Sequence, residues 1–391
     1  MIRLLLIRAL PLFFRPAAII AEAILLHGSD VLVIVLPVAS LALSISSVPV
    51  HVDFYRSSAG DKEHANRGRD YASAVTAVLL IGLFSIVVLL LALPFASGAL
   101  VVAAIAVTFG VEKIADEVSR ALEFQKNFLS WFWVQVIRSI WLLLPIVVAR
   151  VSSMDYEVAF VCFSMLAFLG FWVLFYFVTG LSLGMGLRGY TLVRDKLPFL
   201  LGNALPGIYR QLPRVLVSSM FPQYAHSFLA VAQVCQGAGL LYNVRFQIPF
   251  RKVIAHRTRL FQARMRPLMA KYVLIIFATA LTYLFAGFVA PHVEPVVLAI
   301  LLVPLLLADA VFFSILSATV GYVAWSSQTE VAVLTFAICL LVIVGSLGIL
   351  AAAFVSTQLS VVQIPAVAII IGVSCLAIIN ARHFPKACPN K

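Results

Sequence analysis

Residues 296–323 read VVLAILLVPLLLADAVFFSILSATVGYV, a run in which Asp309 is the single charged side chain. A helix needs about 20 mostly apolar residues to cross a bilayer, so this run predicts a transmembrane helix. Similar runs fill the rest of the chain, which has 391 residues, 63% of them hydrophobic and 11% charged. This composition excludes an ordinary soluble domain and predicts an all-α integral membrane protein.

The apolar runs, bounded by charge, proline or glycine, predict about twelve transmembrane helices. We place them near residues 9–28, 30–50, 71–94, 98–118, 128–148, 157–184, 199–221, 225–245, 271–290, 296–323, 330–353 and 361–380. The fourth predicted helix ends in Glu112, Lys113, Asp116 and Glu117, so we expect it to leave the membrane as an amphipathic stem. Lys113 would then lie at the cytoplasmic rim.

Lysine and arginine are distributed unevenly between the predicted loops. With both termini in the cytoplasm, the cytoplasmic segments hold 22 of the 28 lysines and arginines, and the opposite side holds Arg150. This bias predicts a multi-pass protein of the plasma (inner) membrane with both termini cytoplasmic. It also accounts for the net charge of +12, so we expect no nucleic-acid partner. The largest basic loop, 246–270, is expected to lie on anionic inner-leaflet lipids.

An offset of 195 residues aligns several unusual side chains. It places Pro11, Phe14 and Arg15 on Pro206, Tyr209 and Arg210. With six helices in each half, the repeat predicts two six-helix lobes, residues 1–195 and 196–391. The lobes would be related by a parallel pseudo-twofold along the membrane normal, as in several transporters.

Five charged side chains lie inside otherwise apolar runs: Arg15, Arg138, Arg210, Arg214 and Asp309. Because a charge at the bilayer centre is costly, each is expected to face the protein interior or a water-filled cavity. Four are cations, which favours an anionic ligand. If the two halves are pseudo-symmetric, the first and seventh predicted helices face each other and bring their arginines together. Guanidinium groups bind phosphate in a bidentate manner, so we predict a pyrophosphate-binding site.

A structural role is the alternative for these arginines. They could pair with Glu22, Asp30 or Asp309 and only hold helices together, and the tryptophans around Arg138 slightly favour packing there. Glu22 and Asp309 are also candidates for coupling transport to an ion.

The sequence carries no recognisable catalytic or cofactor-binding motif. It lacks a Walker A sequence, a zinc-type spacing of His and Cys, and a nucleophile elbow. The five cysteines are odd in number and mostly lie in apolar runs, which indicates free thiols. We therefore predict no cofactor, no metal and no enzymatic activity.

Three stretches resemble known membrane proteins. The segment Leu4 to Ala59 has a polar-dotted first helix, a turn at Gly28 and an exit at Tyr55 and Arg56. With MFPQYAHSFLAVAQVCQGAGLLYNVRFQIPF (220–250) and EVSRALEFQKNFLSWFWVQVIRSIW (117–141), it is similar to the polysaccharide and lipid-linked oligosaccharide flippases of the multidrug/oligosaccharidyl-lipid/polysaccharide exporter superfamily.

The resemblance implies alternating access and a polyprenyl-pyrophosphate-linked oligosaccharide (O-antigen, capsule or exopolysaccharide unit) moved from the inner to the outer leaflet. Arg15 and Arg210 match the family's central cations by position, and a glycan polymerase or export machinery is a candidate partner. A cation-coupled drug exporter of the same fold is an alternative, for which an acidic cavity would be needed. A membrane glycan polymerase or ligase is a further alternative, but the predicted external loops are short for one.

Overall fold

The computed structural model describes residues 14–26, 29–46, 62–92, 98–125, 127–181, 184, 191, 193–194, 197–237, 258–289, 295–326, 329–357 and 361–383. These residues form helices joined by turns, and no β-strand occurs among them, which confirms the all-α prediction. The chain divides into two compact units, Met1–Leu200 and Leu201–Lys391. The predicted boundary is at 195/196, and the pseudo-twofold between the halves stays a prediction.

The first unit contains seven helices in its described part. They are α1 (Phe14–Leu25), α2 (Val31–Ile45), α3 (Lys62–Ala92), α4 (Ala99–Phe124), α5 (Phe128–Ile140), α6 (Leu143–Ser152) and α7 (Tyr156–Thr179). Helix α4 contacts α2, α3, α5 and α7, so it forms the centre of this unit.

The second unit is formed by six helices in its described part. They are α8 (Leu197–Met220), α9 (222–237), α10 (Thr258–Val289), α11 (Pro295–Ser326), α12 (Thr329–Thr357) and α13 (Gln363–His383). Helix α13 contacts α10, α11 and α12 and is the most enclosed of the candidate membrane spans.

Six of the described helices are long and apolar enough to cross a membrane: α3, α7, α10, α11, α12 and α13. The pair α5 and α6 makes a seventh if it counts as one bent span. Large apolar side chains are exposed on these helices, among them Leu91 (84%), Phe177 (77%) and Leu341 (74%), as expected for surfaces that face lipid. The chain is thus a multi-pass membrane protein, and the full count of about twelve spans stays a prediction.

The predicted fifth helix is bent by 41° between α5 and α6. Pro145 explains the break, because it has no N–H to bond to the carbonyl of Trp141 and its ring crowds that carbonyl. The amide of Leu144 instead donates to the Trp141 carbonyl at 3.2 Å, one residue earlier than in a regular α-helix. In contrast, α8 continues through Pro206 and Pro213.

Two helices begin earlier than predicted. Helix α3 begins at Lys62 instead of 71, and α10 begins at Thr258 instead of 271, so half of the basic 246–270 segment is helical. Lysine, glutamate, arginine and glutamine are good helix formers, and they extend a helix past the apolar run that crosses the bilayer. The offset of 195 carries the start of α3 almost onto the start of α10, as the predicted repeat requires.

Candidate functional site

The first unit pairs its intramembrane arginines, Arg15 and Arg138, with one carboxylate on α4. Glu112 Oε1 accepts a hydrogen bond from Arg15 Nη2 on α1 at 2.5 Å. Its Oε2 accepts from Arg138 Nε at 2.9 Å and Nη2 at 2.6 Å, both on α5. The Glu112 side chain is 4% exposed, so this double ion pair is screened from water. Three helices are joined by a single buried carboxylate.

The charges of α4 continue one turn further along the helix. Lys113 Nζ donates to Glu117 Oε1 at 2.6 Å, and the hydroxyl of Tyr71 on α3 donates to Glu117 Oε2 at 2.7 Å. Asp116 Oδ2 lies 2.7 Å from Arg120 Nη2, and Asp116 Oδ1 lies 3.9 Å from Arg138 Nη1. Lys113 and Glu117 are 1% and 0% exposed. Packing of α3, α5 and α7 around α4 buries Lys113 and Glu117, whereas Asp116 and Arg120 are each 27% exposed. The exit of this helix from the membrane as a stem, with Lys113 at the cytoplasmic rim, stays a prediction.

Glu22 and Asp309 are the two acids predicted as candidates for coupling transport to an ion, and their environments differ. Glu22 is fully buried, and its Oε1 accepts from the backbone N–H of Leu32 at 2.9 Å and from the Ser29 hydroxyl at 3.4 Å. The carboxylate thus caps the N-terminus of α2, where an unpaired N–H and the helix dipole favour negative charge. Asp30, which precedes α2, makes no side-chain cap. These hydrogen bonds satisfy the Glu22 carboxylate, which is buried in the last turn of α1.

The second unit holds its two intramembrane arginines without an ion pair to any carboxylate in the described part of the chain. Arg210 and Arg214 lie one turn apart on α8, and the described residues place no carboxylate oxygen within the 4.0 Å of an ion pair from either one. Arg214 Nη1 donates to the side-chain amide of Gln236 on α9 at 3.2 Å. The Arg210 guanidinium lies over the ring of Phe313 on α11, 4.3 Å from its centroid. Neither the amide nor the ring carries a negative charge that would form an ion pair with these cations.

The hydrogen bonds of Arg210 are incomplete. Its Nε is buried and has no hydrogen-bond partner in the described part of the chain. A guanidinium group has five N–H donors, and a buried donor left unpaired costs about 1–3 kcal/mol or more when it is charged. An arginine in this state is ready to accept an anionic ligand.

Asp309 on α11 lies near both arginines but is bound elsewhere. Its Oδ1 accepts a hydrogen bond from the Tyr209 hydroxyl on α8 at 2.6 Å. Asp309, Arg210, Arg214 and Gln236 all line one cavity in the second unit. Within it, two guanidinium groups and one carboxylate leave a net charge of +1.

This cavity is small in the present conformation. It leaves about 10 Å³ for water, close to the space of one molecule. Its apolar wall is formed by Pro213, Phe228, Ala232, Leu306, Ala310, Pro365 and Ala368. The diphosphate predicted from the sequence would fit only after this wall opens further.

The structure sorts the six predicted site residues into three groups. It brings Arg15 and Arg138 together on Glu112, it brings Arg210 and Arg214 together with Asp309, and it places Glu22 in a helix cap. Arg15 pairs with Glu112 and, among the described contacts, with none of the three acids predicted. Its role, structural or in anion binding, stays a prediction. Convergence of Arg15 with Arg210 stays a prediction.

Sequence reasoning missed four side chains that complete these groups. They are Glu112, Tyr209, Gln236 and Phe313. The sequence did contain a signal for Glu112. This residue lies four residues before Asp116, so the two acids share one face of α4, and cations are then expected on the helices that pack against that face. The roles of Gln236 and Phe313 depend on contacts between helices, which no local pattern specifies.

Against protein-family models, functionally described proteins and solved structures, the chain gives no match. The resemblance to the flippases therefore stays a prediction, and function is argued from the charges and contacts of the chain itself.

Proposed function

We propose that the protein is a membrane transporter that moves a polyprenyl-pyrophosphate-linked oligosaccharide from the inner to the outer leaflet of the plasma membrane. The observation that carries this proposal is the pair Arg210 and Arg214, two guanidinium groups at one cavity with no carboxylate bound to either among the described residues. Two guanidinium groups one helical turn apart can each engage one phosphate of a diphosphate.

The contrast between the two units supports this assignment. In the first unit, Arg15 and Arg138 both form ion pairs with Glu112, which joins α1, α4 and α5. In the second unit, Arg214 contacts an amide and Arg210 an aromatic ring, and neither of these groups carries a negative charge. A protein keeps an unpaired cation in an apolar region at a cost in stability, which is typical of a functional site.

A reconstituted system tests the transport step. The purified protein is placed in vesicles that contain a polyprenyl-diphosphate-linked monosaccharide, and the fraction of the lipid oxidised by membrane-impermeant periodate is followed over time. We expect the wild-type protein to expose more than half of the sugar, whereas Arg210→Gln/Arg214→Gln reduces the rate at least tenfold. Arg150→Gln, at the exposed end of α6, removes the same charge outside the cavity and should transport normally.

The stability of the double variant separates function from folding. Neutral side chains at positions 210 and 214 remove two desolvated cations, so thermal unfolding in detergent should occur at the same temperature or higher. A transport rate equal to wild type in a correctly folded double variant would refute the anion site. If wild type and the double variant moved a cationic dye at the same rate, and neither moved the lipid, the drug exporter would be favoured instead.

A further inference from the structure

We propose that Tyr209 is a positioning residue that holds the Asp309 carboxylate away from Arg210 and Arg214, so that both guanidinium groups stay open to a diphosphate. This inference rests on the proposed function and adds a residue that determines affinity at the same cavity. The Asp309 carboxylate and the two guanidinium groups line one cavity. Among the described residues, however, the short hydrogen bond to Asp309 comes from Tyr209 and not from either arginine.

The position of the Tyr209 hydroxyl is fixed by packing on two other helices. Tyr209 is 1% exposed, and its ring meets Phe312 of α11 edge to face at 5.5 Å. The Tyr209 ring also lies against Gly372 of α13, where an added Cβ would be 2.7 Å from the Tyr209 Cε2 atom. A ring enclosed in this way cannot follow the carboxylate, so the carboxylate must stay with the hydroxyl.

Neutral groups also hold both arginines. Phe313 stacks on Arg210 and the Gln236 amide accepts from Arg214, while the Tyr209 hydroxyl holds Asp309. Each of the three charged groups therefore contacts an uncharged neighbour, and these contacts keep Asp309 from forming an ion pair with either arginine. An ion pair would be the stronger interaction in a site screened from water, so its absence from the described contacts depends on these neighbours.

Two substitutions at this site have opposite expected effects. Tyr209→Phe releases the carboxylate, which can then reach the arginines and compete with the ligand, so diphosphate binding should weaken. Asp309→Asn removes the competing charge, so binding should tighten. In the Asp309→Asn background, Tyr209→Phe has no carboxylate to release and should change affinity little. A purely structural role of Tyr209 predicts the same loss in both backgrounds.

Calorimetric titration of the full chain in detergent with geranyl diphosphate at pH 8 and low salt tests this. We expect Tyr209→Phe to weaken binding at least fivefold, Asp309→Asn to tighten it at least fivefold, and the double variant to match Asp309→Asn within twofold. Tyr283→Phe is the matched control, because that hydroxyl donates to the Leu301 carbonyl at 2.6 Å, and Tyr283 does not line the cavity. Its affinity should equal that of wild type.

The outcomes distinguish this inference from the proposed function. If Tyr209→Phe weakens binding equally in the wild-type and Asp309→Asn backgrounds, Tyr209 acts through packing and the inference is wrong. If affinity changes in neither single variant while Arg210→Gln/Arg214→Gln still abolishes binding, the inference is also wrong but the anion site stands. If neither wild type nor Asp309→Asn binds geranyl diphosphate, the proposed function fails as well.

Discussion

Arginine has two uses inside this membrane protein, and the difference lies in what each guanidinium contacts. Arg138 makes two short hydrogen bonds to Glu112 and is 14% exposed, which is the geometry of a structural ion pair. Arg210 contacts an aromatic ring and has a buried Nε without a partner among the described residues. An ion pair holds helices together, whereas under the proposed function the unpaired Arg210 guanidinium gains an anionic partner when the ligand binds.

Replacement of Arg138 tests the structural use. Arg138→Met leaves Glu112 with Arg15 alone, so we expect a loss of about 3 kcal/mol in the free energy of unfolding, as for other broken buried pairs. Glu112→Gln should cost at least as much, because it deprives both arginines. The double variant should lose less than the sum of the two. Denaturant unfolding in detergent, followed by tryptophan fluorescence, measures all three.

A surface arginine provides the control for that experiment. Arg150→Met removes a charge at an exposed position, so the free energy of unfolding should change by no more than about 0.5 kcal/mol. Strictly additive losses in Arg138→Met/Glu112→Gln would mean that the two side chains contribute independently, contrary to the contacts described.

At the residue scale, the sequence identified the charged side chains but not their partners. A lone charge in an apolar run is visible because its cost in lipid is large, and this signal found Arg15, Arg138, Arg210, Arg214 and Asp309. The partner of Arg15 lies 97 residues away, at Glu112. Such a pairing depends on how α1 and α4 pack, and hydropathy contains no information on it.

Helix α4 shows how an element with many charges can still be central to a membrane protein. Its first half is apolar and packs closely on α7 at Gly110, where an added Cβ would lie 2.7 Å from the Phe168 ring. Its second half satisfies its charges through α1, α3 and α5 and through pairs within α4 itself. The close contact at Gly110 lies only two residues before Glu112, so packing and ion pairing both act near the middle of the helix.

Substitution of Gly110 tests this close contact. Gly110→Ala forces the Phe168 ring to move, and we expect a loss of about 1–3 kcal/mol in the free energy of unfolding, as for other overpacked cores. Phe168→Leu in the same chain should recover part of that loss by making room. Gly170→Ala on α7 is the control, because a Cβ there meets nothing within 4 Å.

The control should behave in the opposite direction. Alanine is a better helix former than glycine by up to about 1 kcal/mol, so Gly170→Ala should stabilise the protein or leave it unchanged. If Gly110→Ala were also stabilising, α4 and α7 would not approach each other as closely as described.

At the element scale, apolar runs predicted where helices lie better than where they begin and end. The run 296–323 matches α11, at Pro295–Ser326, because a span is fixed by the thickness of the bilayer. The starts of α3 and α10 were missed, since a helix that leaves the bilayer continues through charged residues that hydropathy reads as loop. The bend between α5 and α6 was not predicted, because it depends on one residue of the apolar run, Pro145.

At the scale of the whole molecule, the division into two units separates two physical tasks. The first unit contains the ion pairs of Glu112, and the second contains the cavity with Arg210 and Arg214. The repeat predicted from the offset of 195 would explain why arginines occur at positions 15 and 210. Under the proposed function, the contacts of each arginine, an ion pair to Glu112 or none, decide whether it joins helices or binds an anion.

The predicted topology gives the last test, and the connection between α11 and α12 is the place where it is sharpest. Only residues 327–328 separate the two helices, and a connection this short makes consecutive spans run in opposite directions. The predicted loop 324–329 has no lysine or arginine, so the positive-inside rule is silent there. Its cytoplasmic placement follows from the count of preceding spans alone.

Labelling of single cysteines by a membrane-impermeant maleimide, in a variant without the native cysteines, measures the side of each loop. With both termini cytoplasmic, Ser153→Cys between α6 and α7 should react in intact cells. Gln328→Cys and Lys386→Cys should react only after permeabilisation. Reaction of Gln328→Cys in intact cells, with Lys386→Cys protected, would mean that an odd number of spans separates residue 328 from the C-terminus. The six-plus-six arrangement, and with it the parallel repeat on which the matching of Arg15 to Arg210 depends, would then be wrong.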